Sequence, residues 1–130
     1  MKFAKLTFLI AGIYGLLMLV PLYFIEEQTG RAYPPPITHP EYYYGFTGVA
    51  VAWQLAFIVM SREPLRYRPL IPVAIVEKIS FFIPAVVLYL QHRLSSSMLV
   101  GACIDGVLGV LFLISYLNLR RHSWKTDSVT

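Results

Sequence analysis

Four long runs of apolar residues dominate the pattern of hydrophobic and polar positions along this chain. They cover residues 6–25, 42–60, 69–90 and 97–118. Each run holds about the 20 residues that a helix needs to cross ~30 Å of hydrocarbon. The first two runs contain no charged residue, although the helices of a water-soluble bundle need a polar outer face. The pattern predicts an all-α membrane protein, a four-transmembrane antiparallel helical bundle that forms one domain over residues 1–130.

The composition supports a membrane protein. Of the 130 residues, 57% are hydrophobic and only 14% are charged, which is too apolar for an ordinary soluble domain. The only cysteine, Cys103, leaves no partner for an internal disulfide or a CxxC redox site. Residues 6–25 are long for a signal-peptide core and precede no small-residue cleavage site. We therefore expect them to remain as the first span.

The distribution of basic residues predicts the orientation in the membrane. They gather before the first span, between the second and third spans, and after the fourth, at Lys2, Lys5, Arg62, Arg66, Arg68, Arg120, Arg121 and Lys125. The positive-inside rule then places both termini in the cytoplasm of a cell with a bacterial-type inner membrane. Residues 26–40 become the one long outer loop. The net charge of +4 follows from this asymmetry, so we expect membrane lipids as partners and no nucleic acid.

Ionisable residues interrupt two of the spans. Glu77 and Lys78 are adjacent in the third span, and Asp105 lies in the fourth. Charged groups at that depth are unfavourable unless other polar groups compensate them. At ~1.5 Å per residue, Glu77 and Asp105 share a layer roughly 6 Å thick with Tyr14 and Gln54. We expect these side chains to face inward and meet.

Two interpretations of this polar layer remain open. In the first, Lys78 and Asp105 form an ion pair between helices, Glu77 is protonated or bonded to Gln54 or Tyr14, and the group only fixes helix register. In the second, the layer lines an intramembrane pocket that binds a headgroup or moves a proton. The ligand-binding residues predicted by the second interpretation are Tyr14, Trp53, Gln54, Glu77, Lys78 and Asp105.

Small residues predict where helices approach closely. The first span offers Ala11 and Gly15, and the second span carries a stripe at helical spacing, namely Gly45, Gly48, Ala52 and Ala56. In the fourth span, Asp105 shares a face with Gly101 and Gly109. Stripes of this kind let two membrane helices pack backbone to backbone, so we expect these faces to contact neighbouring helices.

The sequence offers little support for cofactor chemistry. No histidine lies within a span, which argues against a haem held by two histidines inside the bundle. There is no phosphate loop, dinucleotide fingerprint or zinc motif. We expect no metal and no cofactor.

Two family resemblances bear on the function. Four spans with cytoplasmic termini and acids inside the bundle resemble small DoxX-like bacterial membrane proteins. The segments Pro-Glu-Tyr-Tyr at 40–43, Trp-Gln-Leu-Ala-Phe at 53–57 and Arg-Tyr-Arg-Pro at 66–69 are similar to EXPERA sterol-binding and sterol-isomerising proteins. This second resemblance covers the second and third spans only. It implies a bundle with intramembrane acids around a lipid-sized cavity.

Three functions are consistent with these features. The first is non-catalytic: binding of a lipid or hydrophobic ligand, or service as a subunit of a larger membrane assembly, with homo-oligomers possible. The second is an isomerase-like enzyme with Glu77 as acid/base, Lys78 or Asp105 tuning it, and Tyr14 and Trp53 shaping the site. The third is proton-coupled transport by an oligomer, with Asp105 and Glu77 as candidate relay groups. The residues favour the first.

Overall fold

The computed structural model describes residues 1–128 and is built of α-helices and short 3₁₀ turns. In chain order the α-helices are α1 (Lys2–Leu19), α2 (Glu26–Ala32), α3 (Pro40–Arg62), α4 (Ile71–Leu90) and α5 (Ser96–Asp127). A 3₁₀ turn, Val20–Phe24, extends α1, and another, Arg68–Leu70, leads into α4. The last two residues of the predicted domain, Val129 and Thr130, lie outside the described residues.

Four of these helices are long and apolar enough to cross a membrane: α1 with its 3₁₀ extension, α3, α4 with its 3₁₀ entry, and α5. The prediction of four membrane-length helices is therefore confirmed. The main difference is at α5, which we expected to end near residue 118 and which continues to Asp127. Its polar end contains no glycine or proline and is rich in good helix formers, so nothing stops the helix. Its 32 residues extend about 48 Å, well beyond the ~30 Å of a hydrocarbon layer.

The four long helices form a row that closes only partly into a bundle. α1 packs along α3, α4 packs along α5, and α1 also contacts α5. α3 and α4 therefore stand at the two ends of the row α3–α1–α5–α4, with little direct contact between their backbones. Successive long helices run in opposite directions, which brings both chain termini to one end of the bundle.

The core lies at this terminal end and ties all four helices together. Phe8 of α1 stacks on Phe112 of α5, with 4.4 Å between ring centroids, and Phe57 of α3 meets Phe112 edge-on at 5.0 Å. Ile71 at the start of α4 is fully buried in the same cluster. α3 and α4 are thus held together near the chain termini, and the space between them widens toward the opposite end of the bundle.

Glycines on α1 allow its close packing against α3. A Cβ at Gly12 would lie 2.8 Å from the backbone oxygen of Gln54, and one at Gly15 would overlap the Gln54 side chain. Both glycines are buried. The α1–α3 contact therefore depends on small residues of α1.

The predicted small-residue stripe of α3 faces the first span only in part. A Cβ at Gly48 would lie 3.3 Å from the Tyr23 hydroxyl, and Ala56 is half-buried, but Gly45 and Ala52 are exposed. The prediction was wrong for those two residues, because helical spacing identifies a stripe but not the side of the helix that faces a neighbour. On α5 the outcome is mixed, since Gly109 is buried against Lys78 whereas Gly101 has open space around it.

The predicted outer loop contains the short helix α2, which tyrosines attach to the bundle. The hydroxyl of Tyr43 donates a hydrogen bond to the backbone oxygen of Leu22 at 2.6 Å. The Tyr44 hydroxyl donates to Oε2 of Glu26 at 2.8 Å. These bonds fix the segment that connects α1 and α3 across the end of the bundle opposite the termini.

Candidate functional site

A cleft of about 480 Å³ opens between α3 and α4, beyond the aromatic core. Apolar residues of α3 and α4 form its two walls, and residues of α1 and α5 form its floor together with the polar side chains of α3 and α4. We call it the α3–α4 cleft. Its volume falls in the range of about 300–1,000 Å³ that is typical of small-molecule sites.

Apolar side chains make up most of the two walls. From α3 and α4 these are Phe46, Val49, Ala50, Val73, Val76 and Phe81. Val49 and Val76 are 63% and 58% exposed, because they lie at the mouth where the two helices separate. The mouth opens sideways from the bundle, in the direction that a surrounding lipid would occupy.

Lys78 is the buried centre of the polar groups on the floor. Only 3% of its surface is exposed, and its Nζ donates a hydrogen bond to Oδ1 of Asp105 at 3.2 Å. Nζ also lies 5.1 Å from the ring centroid of Phe57, within range of a cation–π interaction. The ion pair between α4 and α5 that the first interpretation predicted is therefore present.

Glu77 lies on the other side of the same ammonium group. Its Oε2 is 3.5 Å from Nζ of Lys78, which makes an ion pair. This oxygen is buried yet accepts no well-aligned hydrogen bond from the described residues. The predicted bonds from Glu77 to Gln54 or Tyr14 are not formed, because Gln54 is turned onto its own helix.

Gln54 also has an unused acceptor. Its Nε2 donates a hydrogen bond to the backbone oxygen of Ala50 at 3.0 Å, one turn earlier in α3. Its Oε1 is buried beside Gly15 and has no donor among the described residues. An unpaired amide oxygen in a low-dielectric interior is unfavourable by about 1–3 kcal/mol, so a group that donates to it would be favoured.

All six residues predicted to bind a ligand line this one cleft: Tyr14, Trp53, Gln54, Glu77, Lys78 and Asp105. Their role in binding stays a prediction. Sequence reasoning missed the apolar walls. They carry no signal in the sequence, since a valine that faces a cleft and one that faces lipid look alike. Gly15 was predicted, with Ala11, as a small residue where α1 packs closely, and both are buried on α1.

A wider hollow of about 770 Å³ lies beside α2 at the opposite end from the termini. Glu26, Arg31 and Tyr44 contribute polar groups to it. Within residues 1–128, however, the buried side-chain atoms that have no hydrogen-bond partner both belong to the α3–α4 cleft. The cleft is therefore the better candidate site.

Similarity to known proteins gives no further guidance. Comparisons with family models, curated proteins and solved structures find no match to this chain. The resemblances to DoxX-like and EXPERA proteins stay predictions, and the function has to be argued from the cleft itself.

The cleft can bind the polar group of a ligand within apolar surroundings. In the part of the chain that the structure describes, no three histidine, cysteine, aspartate or glutamate side chains are grouped to hold a metal ion. What the cleft offers is one buried ammonium group between two carboxylates, next to an amide oxygen. Aromatic and aliphatic walls lead from these groups to the mouth.

Proposed function

We propose that this chain is an integral membrane protein whose α3–α4 cleft binds a lipid or other hydrophobic ligand from the bilayer. The membrane location rests on the four apolar helices and on the apolar residues that cover their outward faces, such as Leu6, Leu17 and Val107. A water-soluble protein rarely exposes apolar patches of this extent. Lipid tails would cover them in a bilayer.

The observation that carries the ligand proposal is the union of an apolar, sideways-opening cleft with a cluster of charged side chains at its floor. Apolar walls would hold a hydrocarbon tail by the area that they bury. The charged groups of Glu77, Lys78 and Asp105 would bind a polar headgroup. An amphiphile combines these two parts, and it could enter from the surrounding lipid without crossing water.

We also propose that both termini face the cytoplasm of a cell with a bacterial-type inner membrane. The basic residues of the terminal end are the support, because Arg66, Arg120 and Lys125 lie at the same end of the bundle as Lys2 and Lys5. In this orientation α2 and the wider hollow beside it face the outside.

Native mass spectrometry of the protein purified in a mild detergent tests the ligand proposal. The double variant Val49→Phe/Val76→Phe fills the mouth of the cleft, and Val59→Phe/Val110→Phe adds the same bulk at exposed positions that do not line it. We expect an amphiphile to be retained by the parent and the control pair and lost from the filled variant. Equal retention by all three proteins would contradict the proposal.

A further inference from the structure

The polar side chains on the floor of the α3–α4 cleft already donate hydrogen bonds within the protein. Nε2 of Gln54 donates to the backbone oxygen of Ala50, and the Ser80 hydroxyl donates to that of Glu77. Lys78 Nζ donates to Oδ1 of Asp105 and lies against Glu77. Each of these three side chains thus has a donor engaged internally, and Tyr14 and Trp53 contribute a hydroxyl and an indole N–H to the lining.

Two buried acceptors beside the cleft are incompletely satisfied. Oε1 of Gln54, a residue that is 98% buried, accepts no hydrogen bond from the described residues, and Oε2 of Glu77 has only the ammonium group of Lys78, at 3.5 Å. A bound headgroup that only accepts hydrogen bonds, such as a carboxylate, would supply no further donor to this region. A headgroup with N–H or O–H groups would supply one.

The charges of the floor point to a cation. Two carboxylates, Glu77 and Asp105, face a single ammonium group, that of Lys78, which leaves one negative charge in excess when all three are ionised. The other ionisable group lining the cleft is the hydroxyl of Tyr14, so no second cation of the protein offsets this charge there. In a low-dielectric site an uncompensated charge is strongly unfavourable. A positively charged headgroup would balance it, and a phosphate or carboxylate would add to it.

From these two observations we infer that the α3–α4 cleft selects lipophilic amines. Such a molecule has an apolar tail and a protonated amino group that bears N–H donors. The tail lies between the walls of α3 and α4, and the ammonium group donates to the carboxylates of Glu77 and Asp105, whose side chains are each 20% exposed. Trp53 lies along the wall, where an aromatic face also favours a cation. This inference rests on the proposed function and specifies its ligand.

Trp53 provides a reporter for the test. The chain has two tryptophans, and Trp124, near the end of α5, is 73% exposed and does not line the cleft. The variant Trp124→Phe leaves Trp53 as the only tryptophan. Its fluorescence is titrated with four molecules that share a twelve-carbon chain: dodecylammonium, dodecyltrimethylammonium, dodecanol and dodecanoate.

We expect saturable changes in Trp53 emission and an order of affinity set by the headgroup. Dodecylammonium should bind at least about tenfold more tightly than dodecanol, because a charge-assisted hydrogen bond exceeds a neutral one by about 1.4 kcal/mol or more. Dodecyltrimethylammonium, which lacks N–H groups, should bind more weakly than dodecylammonium. Dodecanoate should bind weakest. If dodecanol or dodecanoate binds as tightly as dodecylammonium, the inference is overturned.

Carboxylate variants separate the proposed headgroup contact from general partition into detergent. Glu77→Gln, which removes a charge but retains the shape, should reduce the affinity for dodecylammonium at least about tenfold and that for dodecanol by much less, since dodecanol loses no charge interaction. The control Glu63→Gln removes an exposed carboxylate that pairs with Arg66 outside the cleft and should change neither. An unchanged affinity of Glu77→Gln for dodecylammonium would contradict the inference.

The design distinguishes failure of the inference from failure of the proposed function. If binding is saturable and blocked by Val49→Phe/Val76→Phe but indifferent to the headgroup, only the amine selectivity fails. If no member of the series gives a response that the filled variant abolishes, the cleft itself is not a binding site. A further titration with a twelve-carbon lysophosphatidylethanolamine shows which class of amine the cleft takes. Tight binding indicates an amino-lipid, and weak binding indicates a simple amine.

Discussion

At the scale of single residues, Lys78 holds the polar floor together. Its ammonium group is buried between the carboxylates of Glu77 and Asp105 and above the ring of Phe57. Buried ion pairs of this kind add little net stability relative to apolar replacements, but removing one partner leaves an uncompensated charge. The cluster therefore depends on its charge balance more than on any one bond.

Replacing the lysine alone should be much more harmful than neutralising the whole cluster. Lys78→Met leaves two carboxylates without their cation and should lower the free energy of unfolding by about 3–5 kcal/mol. The triple variant Glu77→Gln/Lys78→Met/Asp105→Asn should recover most of that loss. Unfolding in a detergent or bilayer measures both, with Lys125→Met as an exposed control. A triple variant as unstable as Lys78→Met would contradict this account of the cluster.

Sequence reasoning identified the polar residues and the Lys78–Asp105 ion pair, but not the partners of Gln54 and Glu77. Counting ~1.5 Å per residue along each helix gives the height of a side chain, which is how Gln54, Glu77 and Asp105 were grouped. It does not give the direction in which a side chain points from the helix axis. It also does not show whether the side chain bonds to its own backbone instead of to a neighbouring helix. The Gln54 amide instead donates to Ala50 of its own helix, and Glu77 turns to Lys78.

At the scale of helices, the contact between α1 and α3 is made by glycines of α1 against the side of α3 that carries Gln54. Gly45 and Ala52 of the predicted α3 stripe face outward instead. In a membrane protein the lipid face and the packed face are both apolar, so hydropathy does not tell them apart. The identity of the packed face was therefore the least predictable property of each helix.

Two glycine-to-alanine variants test which of these helix faces is packed and which is exposed. Gly15→Ala places a Cβ on the Gln54 side chain and should lower the free energy of unfolding by about 1–3 kcal/mol through overpacking. Gly45→Ala adds a methyl group in open space and should be neutral or stabilise by up to about 1 kcal/mol, since alanine favours helix. Thermal unfolding in one detergent compares them. Equal effects of the two substitutions would show that the close α1–α3 packing is wrong.

At the scale of the whole molecule, the lengths of the apolar runs predict four helices and their alternating directions. They do not predict the row α3–α1–α5–α4, in which the first helix packs against the last. That order decides where the cleft forms, because the two helices with least mutual contact become its walls. Short α2 was also missed, since a seven-residue polar helix leaves no apolar run.

The proposed orientation gives a labelling pattern for the whole chain. In a Cys103→Ser background, Arg93→Cys places a thiol on the turn between α4 and α5, and Lys125→Cys places one near the end of α5. A membrane-impermeant maleimide should label Arg93→Cys in intact cells and Lys125→Cys only after the membrane is opened, as the positive-inside rule requires. The opposite labelling pattern would reverse the proposed orientation.

The central claim is that an amphiphile occupies the space between α3 and α4. The most direct measurement is an experimental structure of the protein in lipid, with and without added dodecylammonium. The account predicts elongated density between the walls near Val49 and Val76, with its polar end within hydrogen-bonding distance of Glu77 and Asp105. A structure in which α3 and α4 close against each other, or in which Glu77 and Asp105 face the acyl chains of the bilayer, would contradict it.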